Sequence, residues 1–176
     1  MKIKLTRIAM TAVFTALLAC LSQIAVPLPF GISLTLQTFA VALCGYCLGP
    51  LYGTLSIVVY IALGAAGAPI FSSFRGGFTV LLGLSGGFIF GFLAMALLCG
   101  LAYDKKPLFK IILSLAGLLV CHIAGVIQYK FISGNAFLYS FLTVSLPFIL
   151  KDIISVACAY FIAGKLNSSM KYYMNK

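Results

Sequence analysis

A few polar residues in otherwise apolar sequence have the right chemistry to bind a small molecule. Lys151 and Asp152 lie in the last apolar run, Arg75 follows a short serine-containing segment, and Thr35 and Gln37 lie at the start of the second apolar run. Asp152 can accept hydrogen bonds from N–H groups, and the planar fork of Arg75 matches a carboxylate. One acid, one or two cations and a few neutral polar groups among apolar walls predict a small-molecule pocket.

Tyr129 is expected to join this set because it closes the fifth apolar run, between Gln128 and Lys130. Each polar residue also has a purely structural interpretation. Asp152 can fasten a loop by pairing with Arg75 or Lys130, and Gln37 can make a hydrogen bond between helices. Lys151 and Asp152 are adjacent, so on a helix they point about 100° apart, and we expect them not to pair with each other.

The sequence does not predict an enzyme. It has no glycine loop followed by lysine to hold phosphate and no nucleophile elbow, and its acidic residues are Asp104 and Asp152. His122 lies within an apolar run, where a packing histidine is favoured over a proton relay. Cys44 and Cys47 have the spacing of half a metal or redox motif but lack a second pair. We therefore predict no metal and no cofactor.

The distribution of charge determines the class of protein. Residues 8–74 contain no charged residue, and this run of 67 residues would be about 100 Å long as a helix, enough for about three membrane crossings. Hydrophobic residues make up 63% of the chain and charged residues 8%. The net charge of +10 does not indicate nucleic-acid binding, because the basic residues form no stripe or face. The chain is predicted to be an integral membrane protein with the lipid bilayer as its surroundings.

Proline and glycine divide the chain into a single membrane domain, residues 1–176, with six predicted spans. The expected fold is an all-α bundle of six transmembrane helices, with a short helix or loop at 136–142 before the last one. The spans are predicted at about 6–25, 34–48, 51–66, 79–102, 108–131 and 143–165.

The basic residues predict the orientation of the bundle. With six spans, nine of the twelve basic residues fall on one side, which the positive-inside rule assigns to the cytoplasm. Both termini are thus expected to be cytoplasmic in a bacterial plasma membrane. The nine are Lys2, Lys4, Arg7, Lys105, Lys106, Lys110, Lys165, Lys171 and Lys176.

The first span carries small residues at helical spacing. Ala12 and Ala16 are four residues apart, so another helix can approach closely on this face. That helix can belong to a partner protein or to the same bundle, and spacing alone does not distinguish the two.

Several segments, taken together, resemble the BioY family of biotin-uptake proteins over roughly residues 8–166. They are 34–41, 48–53, 67–71, 76–77, 82–83, 86–88 and the late pair Pro147 and Asp152. Proteins of this family are substrate-binding S components of energy-coupling factor (ECF) transporters. The resemblance implies a six-helix bundle with an external biotin pocket, a transmembrane coupling protein (the T component) and two cytoplasmic ATPases. It also implies that Ala12 and Ala16 dock the coupling protein.

The sequence departs from the family pattern close to the expected site. Ser155 stands where the family commonly has lysine, and Lys151 stands where it commonly has glycine. Arg75 or Lys151 is therefore expected to bind the ligand carboxylate, while Asp152 and Gln37 accept the ureido N–H groups. Phe71, with Phe74 and Phe78, is expected to supply apolar walls.

Two alternative functions remain open on the sequence. The same fold can bind another small acid, such as dethiobiotin or lipoate. The chain can also work alone as an ion-driven secondary transporter, for which Asp152 would be the coupling group.

Overall fold

The structure is a computed structural model that describes residues 2–29, 31–103 and 105–174. Asp104 and Lys176 lie outside the described residues, as do the side chains of Lys2, Lys4 and Lys171. The helices are α1 (Lys2–Ser22), α2 (Gln37–Ala65), α3 (Phe78–Leu82), α4 (Gly86–Leu101), α5 (Pro107–Ser133), α6 (Phe137–Val144) and α7 (Leu146–Met174). A short antiparallel pair, β1 (Ala25–Pro27) and β2 (Ser33–Thr35), connects α1 to α2.

Helix α2 turns back on itself at Gly49. This glycine has φ 75° and ψ −176°, and Pro50 follows it without a backbone N–H to continue the helix. Gln37 and Tyr60 are hydrogen-bonded at 2.8 Å, although 23 residues of straight helix would separate them by about 35 Å. Residues 37–48 and 50–65 therefore form a helical hairpin, with the turn where the sequence predicted one span to end and the next to begin.

The single helix predicted over 79–102 is interrupted. α3 ends at Leu82, Gly83 is extended with ψ −170°, and α4 begins at Gly86. The Gln128 side chain from α5 donates to the carbonyls of Leu81 and Gly83 at 2.7 and 2.8 Å. Because these bonds satisfy carbonyls at the break, the interruption costs little, and it brings Ser85 to the interior of the bundle.

Helix α4 packs closely between α2 and α5. A Cβ placed on Gly91 would lie 2.7 Å from the Cα of Cys121, and one on Gly45 would lie 2.7 Å from the Cβ of Cys99. Only glycine permits helix axes to approach this closely at these two points. The resulting core contains the fully buried side chains Leu18, Ile57, Tyr60 and Met95.

Two connections near the predicted site also differ from the sequence expectation: the one between α1 and α2, and the one between α6 and α7. The strands were not predicted, since three-residue strands leave too little alternation to recognise. Helix α7 begins at Leu146, not at 143, because Ser145 separates it from α6. Of residues 136–142, expected as a short helix or loop, 137–142 belong to α6 and Ala136 precedes it with extended backbone.

Within the residues that the structure describes, four helical segments are long and apolar enough to cross a membrane. They are Leu5–Ser22, Gln37–Ala65, Pro107–Ser133 and Leu146–Ser168, and Gly86–Leu101 is a shorter apolar helix. The protein is thus a mostly helical membrane protein, and the second segment contains the hairpin at Gly49.

Candidate ligand site

A polar cavity lies at one end of the bundle, where β2 and the start of α2 meet α4, α5 and α7. The cavity leaves about 50 Å³ for the centres of water-sized molecules, so it is narrow. It is lined by Ile32, Ser33, Thr35, Gln37, Thr38, Ser72, Ser85, Phe88, Ile89, Phe92, Cys121, His122, Val144, Phe148, Lys151 and Asp152. Four of the residues predicted from the sequence, Thr35, Gln37, Lys151 and Asp152, are therefore brought together.

Asp152 is the charged centre of this cavity. Its side chain is 6% exposed, and its Oδ2 lies 3.2 Å from Nε2 of His122. The ammonium group of Lys151 contacts Oδ1. A carboxylate buried to this degree requires such partners, because desolvation of an unpaired charge is costly.

The prediction that Lys151 and Asp152 do not pair is wrong. The two Cα–Cβ bonds diverge, but the four-carbon stem of lysine is long enough to return its ammonium to the neighbouring carboxylate. The same ammonium donates to the backbone carbonyl of Thr35 at 2.9 Å. Lys151 therefore connects α7 to β2 across the cavity.

The pairing of Asp152 with Arg75 or Lys130, considered from the sequence, is not observed either. The ion-pair partners of Asp152 among the described residues are His122 and Lys151, and the Thr38 side chain also hydrogen-bonds to the carboxylate. The Lys130 ammonium instead lies 5.5 Å from the centre of the Phe131 ring.

His122 is the main residue of the site that sequence reasoning missed. Its Nδ1 lies 2.9 Å from the Ser145 hydroxyl, its Nε2 faces Asp152, and its ring packs edge-on against Phe88. An ionised carboxylate can only accept, so the proton between His122 and Asp152 belongs to Nε2. The expected packing role holds for the Phe88 contact, but the same ring also orients the carboxylate. Thirty residues separate His122 from Asp152, and no local pattern reveals such a pair.

Gln37 makes a hydrogen bond between helical segments, as considered from the sequence, and it also lines the cavity. Its Nε2 donates to the Tyr60 hydroxyl, which joins the two halves of α2. Its Oε1 accepts from the Thr35 hydroxyl at 3.0 Å. Because it also lines the cavity, it is held in one orientation by neighbours while part of its amide remains available to a ligand.

Arg75 does not line the cavity. Its guanidinium donates to the hydroxyl and the carbonyl of Ser72 at 3.1 and 3.2 Å, and Ser72 is the cavity residue. The segment between them has positive φ at Ser73 and Phe74. Gln23 Oε1 accepts from the Phe74 N–H at 2.8 Å, which holds this strained segment in place.

Phe71 and Tyr129 lie outside the cavity lining. Phe71 is fully buried and packs edge-on against Tyr60 at 5.3 Å. Tyr129 is buried in a small cluster with Phe148, which does line the cavity. Tyr129 therefore supports one wall of the cavity, whereas Phe71 packs against the tyrosine that holds Gln37.

The aromatic walls themselves are Phe88, Phe92 and Phe148, which the sequence analysis did not select. Phe74 and Phe78, expected there, are 71% and 60% exposed. Which phenylalanines face inward depends on the break before α4 and on the start of α7, and the sequence did not reveal either position.

The alanine pair on α1 faces away from the bundle. Ala12 and Ala16 are exposed, whereas Thr15, one position before Ala16, is buried and donates to the Ser56 carbonyl at 3.1 Å. Packing of this alanine pair inside the same bundle is therefore excluded. Ser155 is buried on α7 but is not part of the cavity lining.

Among the residues that the structure describes, no group of three or more His, Cys, Asp or Glu side chains is arranged to hold a metal ion. The site thus consists of a carboxylate, an ammonium, an imidazole, amide and hydroxyl groups and aromatic walls, within a bundle of apolar helices. This combination defines a membrane protein that binds a small polar solute.

The chain belongs to the BioY family, whose sequence model matches residues 1–172. It is 38% identical over 170 residues to the probable biotin transporter BioY of Pyrococcus horikoshii, covering 94% of this chain and 99% of that protein. It is 39% identical over 160 residues to the biotin transporter BioY of Thermotoga maritima, covering 88% and 91%.

A solved structure has the same fold. It is a crystal structure at 2.1 Å of the S-component for biotin from an ECF-type ABC transporter. The TM-score is 0.86 at 27% identity, and the match covers 94% of this chain and 92% of the other.

Proposed function

We propose that this chain binds biotin in the Asp152 cavity and serves as the substrate-specific S component of an ECF transporter. The observation that carries the proposal is the buried carboxylate of Asp152, held between Lys151 and His122 in a cavity with aromatic walls. The names of the similar BioY proteins and of the similar S-component support biotin as the ligand.

The chemistry of the cavity matches the two ends of biotin. The ureido ring carries N–H groups, which Asp152 can accept, and its carbonyl can accept from the Gln37 amide. The valerate carboxylate needs a cation, and Lys151 is the cation that lines the cavity, in place of the lysine that Ser155 replaces. Phe88 and Phe92 offer apolar surface for the thioether ring and the chain.

Binding requires the cavity to widen. The volume of the cavity that the centres of water-sized molecules can occupy is about 50 Å³, which is too small for a molecule of vitamin size. Lys151 crosses the cavity to the Thr35 carbonyl, and its side chain has the rotamer freedom to swing aside. We infer that a ligand carboxylate takes the place of the Thr35 carbonyl on this ammonium.

We infer six membrane crossings with both termini in the cytoplasm of a bacterial cell. The crossings are α1, the two halves of α2, α4, α5 and α7. Support comes from the hairpin at Gly49, from the apolar helices and from the basic residues. In this orientation the Asp152 cavity opens to the outside of the plasma membrane, where the substrate arrives.

The ligand is tested by thermal unfolding of purified protein in detergent with biotin, dethiobiotin or lipoate. Biotin is expected to raise the unfolding midpoint most, because binding to the folded state stabilises it. If lipoate or dethiobiotin stabilises the protein more than biotin does, the ligand is that acid instead. If the folded protein responds to none of the three, the proposed pocket is incorrect.

The proposed partners are a transmembrane T component and two cytoplasmic ATPases, with docking through Ala12 and Ala16. The exposure of both alanines supports this assignment. Ala12→Trp and Ala16→Trp are expected to abolish ATP-driven uptake in proteoliposomes while leaving biotin binding intact, because the large ring blocks close helix approach. Ala157→Trp is a matched control, since Ala157 is also an exposed helical alanine but lies on α7.

The requirement for partners is tested with the same proteoliposomes. The chain alone is expected to bind labelled biotin without accumulating it. Accumulation against a gradient by the chain alone would instead support the ion-driven secondary transporter.

A further inference from the structure

A second cavity lies at the end of the bundle opposite to Asp152. It has a volume of about 270 Å³ and lies between the turn of α2, the start of α5 and the last turns of α7. Its polar lining consists of Tyr46, Tyr103, Lys110, Tyr160 and Asn167. No role in ligand capture is assigned to this cavity.

Lys110 is the cation of this cavity, and its position is well defined. Its ammonium lies 5.7 Å from the centre of the Tyr160 ring. The backbone carbonyl of Lys110 accepts a hydrogen bond from the Ser114 hydroxyl at 2.6 Å. The Tyr46 hydroxyl contacts that same Ser114 hydroxyl. A ring face attracts the ammonium but does not neutralise its charge.

This ammonium has no acidic partner within the described part of the chain. The salt bridges found there both involve Asp152, which lies at the far end of the bundle. Lys110 is half-buried, so its charge is directed into the cavity and toward the membrane interface. An anionic ligand would supply a counter-charge that the described residues do not provide.

Asn167 gives a second, independent reason to expect a ligand in this cavity. Its Nδ2 donates to the Tyr46 carbonyl at 3.0 Å, which sets the orientation of the amide because a carbonyl can only accept. Its Oδ1 is then turned inward, is buried and has no hydrogen-bond partner among the described residues. The lining of the cavity therefore includes a cation for an anion and an amide whose buried oxygen lacks a donor among the described residues.

We propose that this cavity binds the headgroup of an anionic phospholipid that carries a hydroxyl donor, such as a phosphatidylglycerol. The phosphate diester lies on the Lys110 ammonium, and a headgroup hydroxyl donates to Oδ1 of Asn167 once this amide rotates toward the cavity. Phe161 also lines the cavity and is 70% exposed, so the site is continuous with the apolar surface that faces acyl chains. This continuity favours a lipid over a soluble phosphate, and the inference does not depend on the identity of the transported ligand.

The test measures thermal unfolding of the full chain in phosphatidylcholine nanodiscs with increasing phosphatidylglycerol. A saturable rise of the unfolding midpoint is expected. Lys110→Gln should weaken the apparent affinity roughly tenfold, as expected for the loss of one charge-assisted contact. Lys106→Gln is the matched control, because Lys106 is exposed at the same end, carries the same charge and does not line the cavity. The apparent affinity of Lys106→Gln for phosphatidylglycerol should be unchanged.

A second variant tests the hydroxyl donor. Phosphatidylmethanol has the same charge as phosphatidylglycerol but no headgroup hydroxyl. The unaltered chain should prefer phosphatidylglycerol, and Asn167→Leu should bind both lipids equally. This comparison remains decisive if Lys110→Gln does not fold.

Three results would overturn the proposal. An equal loss in Lys106→Gln and Lys110→Gln would indicate diffuse surface attraction. Absence of any preference for phosphatidylglycerol over phosphatidylmethanol would exclude the Asn167 contact. A Lys110-dependent shift produced by inorganic phosphate alone, at the same concentration, would make this a site for free phosphate and not for lipid.

Discussion

The two ends of the helical bundle hold their charged side chains in different ways. At the Asp152 end, the carboxylate is buried and contacts both His122 and Lys151. At the opposite end, Arg7 lies 5.5 Å from the Tyr52 ring centre and Lys110 lies 5.7 Å from that of Tyr160. The Asp152 end pairs opposite charges inside a cavity and also places Lys130 over the Phe131 ring. At the other end, Arg7 and Lys110 lie over aromatic rings and have no acidic partner among the described residues.

This difference follows from composition. The chain has twelve basic residues and two acidic ones, so most cations cannot have an acidic partner. The one acid described by the structure is placed where a charge is most costly, in the interior. A buried, compensated carboxylate can recognise a ligand with high selectivity, whereas exposed cations attract any anion and are screened by salt. Four substitutions test this contrast, from the largest expected effect to the smallest.

Asp152→Asn should weaken biotin binding at least about 100-fold. The substitution replaces an acceptor by an amide that is half donor and leaves the Lys151 charge without its partner. Isothermal titration with purified protein measures the affinity. Ser155→Ala, one turn later on α7 and outside the cavity lining, should bind normally. Unchanged affinity in Asp152→Asn would remove this carboxylate from the site.

Lys151→Met should weaken biotin binding roughly 20-fold, because it deletes the cavity's ammonium while keeping an unbranched apolar stem. The unaltered chain should bind the methyl ester of biotin more weakly than it binds biotin. For this ester, the affinities of Lys151→Met and of the unaltered chain should be the same. Lys130→Met provides the control, since Lys130 is a cation at the same end that does not line the cavity. Equal losses of biotin affinity in the two variants would show that only the overall positive charge at this end of the bundle matters, and not a direct contact with Lys151.

His122→Leu should weaken binding roughly fivefold, because Oδ2 of Asp152 loses the donor that orients it. His122→Gln, whose amide can still donate toward the carboxylate, should recover much of the affinity. The same titration measures both variants. A His122→Gln variant as weak as His122→Leu would show that the ring is needed for packing against Phe88 and not for orienting Asp152.

Arg75→Gln should change the affinity by less than about twofold. Its guanidinium is engaged with Ser72 and lies outside the cavity lining, where a surface charge contributes little. The effect should shrink further at high salt. A loss comparable to that of Lys151→Met would show that the Ser72 segment moves on binding and brings Arg75 to the ligand.

Much of the site was predictable because some of its residues are unusual for their surroundings. Asp152, Lys151 and Gln37 stand out as polar groups within apolar runs, and all three line the cavity. His122 was equally unusual, but its pairing with Asp152 is a contact between two helices. No spacing rule along one chain segment reports such a contact.

The sequence by itself determined that the chain is a helical membrane protein, because long stretches without charge can only be stable in a bilayer. It also determined the turn at Gly49, since glycine and proline act locally on the backbone. Only the tertiary structure decided that Lys151 and not Arg75 lines the cavity. It also decided which phenylalanines form the walls. These outcomes depend on where helices break and how closely they pack, and such positions are set by contacts between residues far apart in the chain.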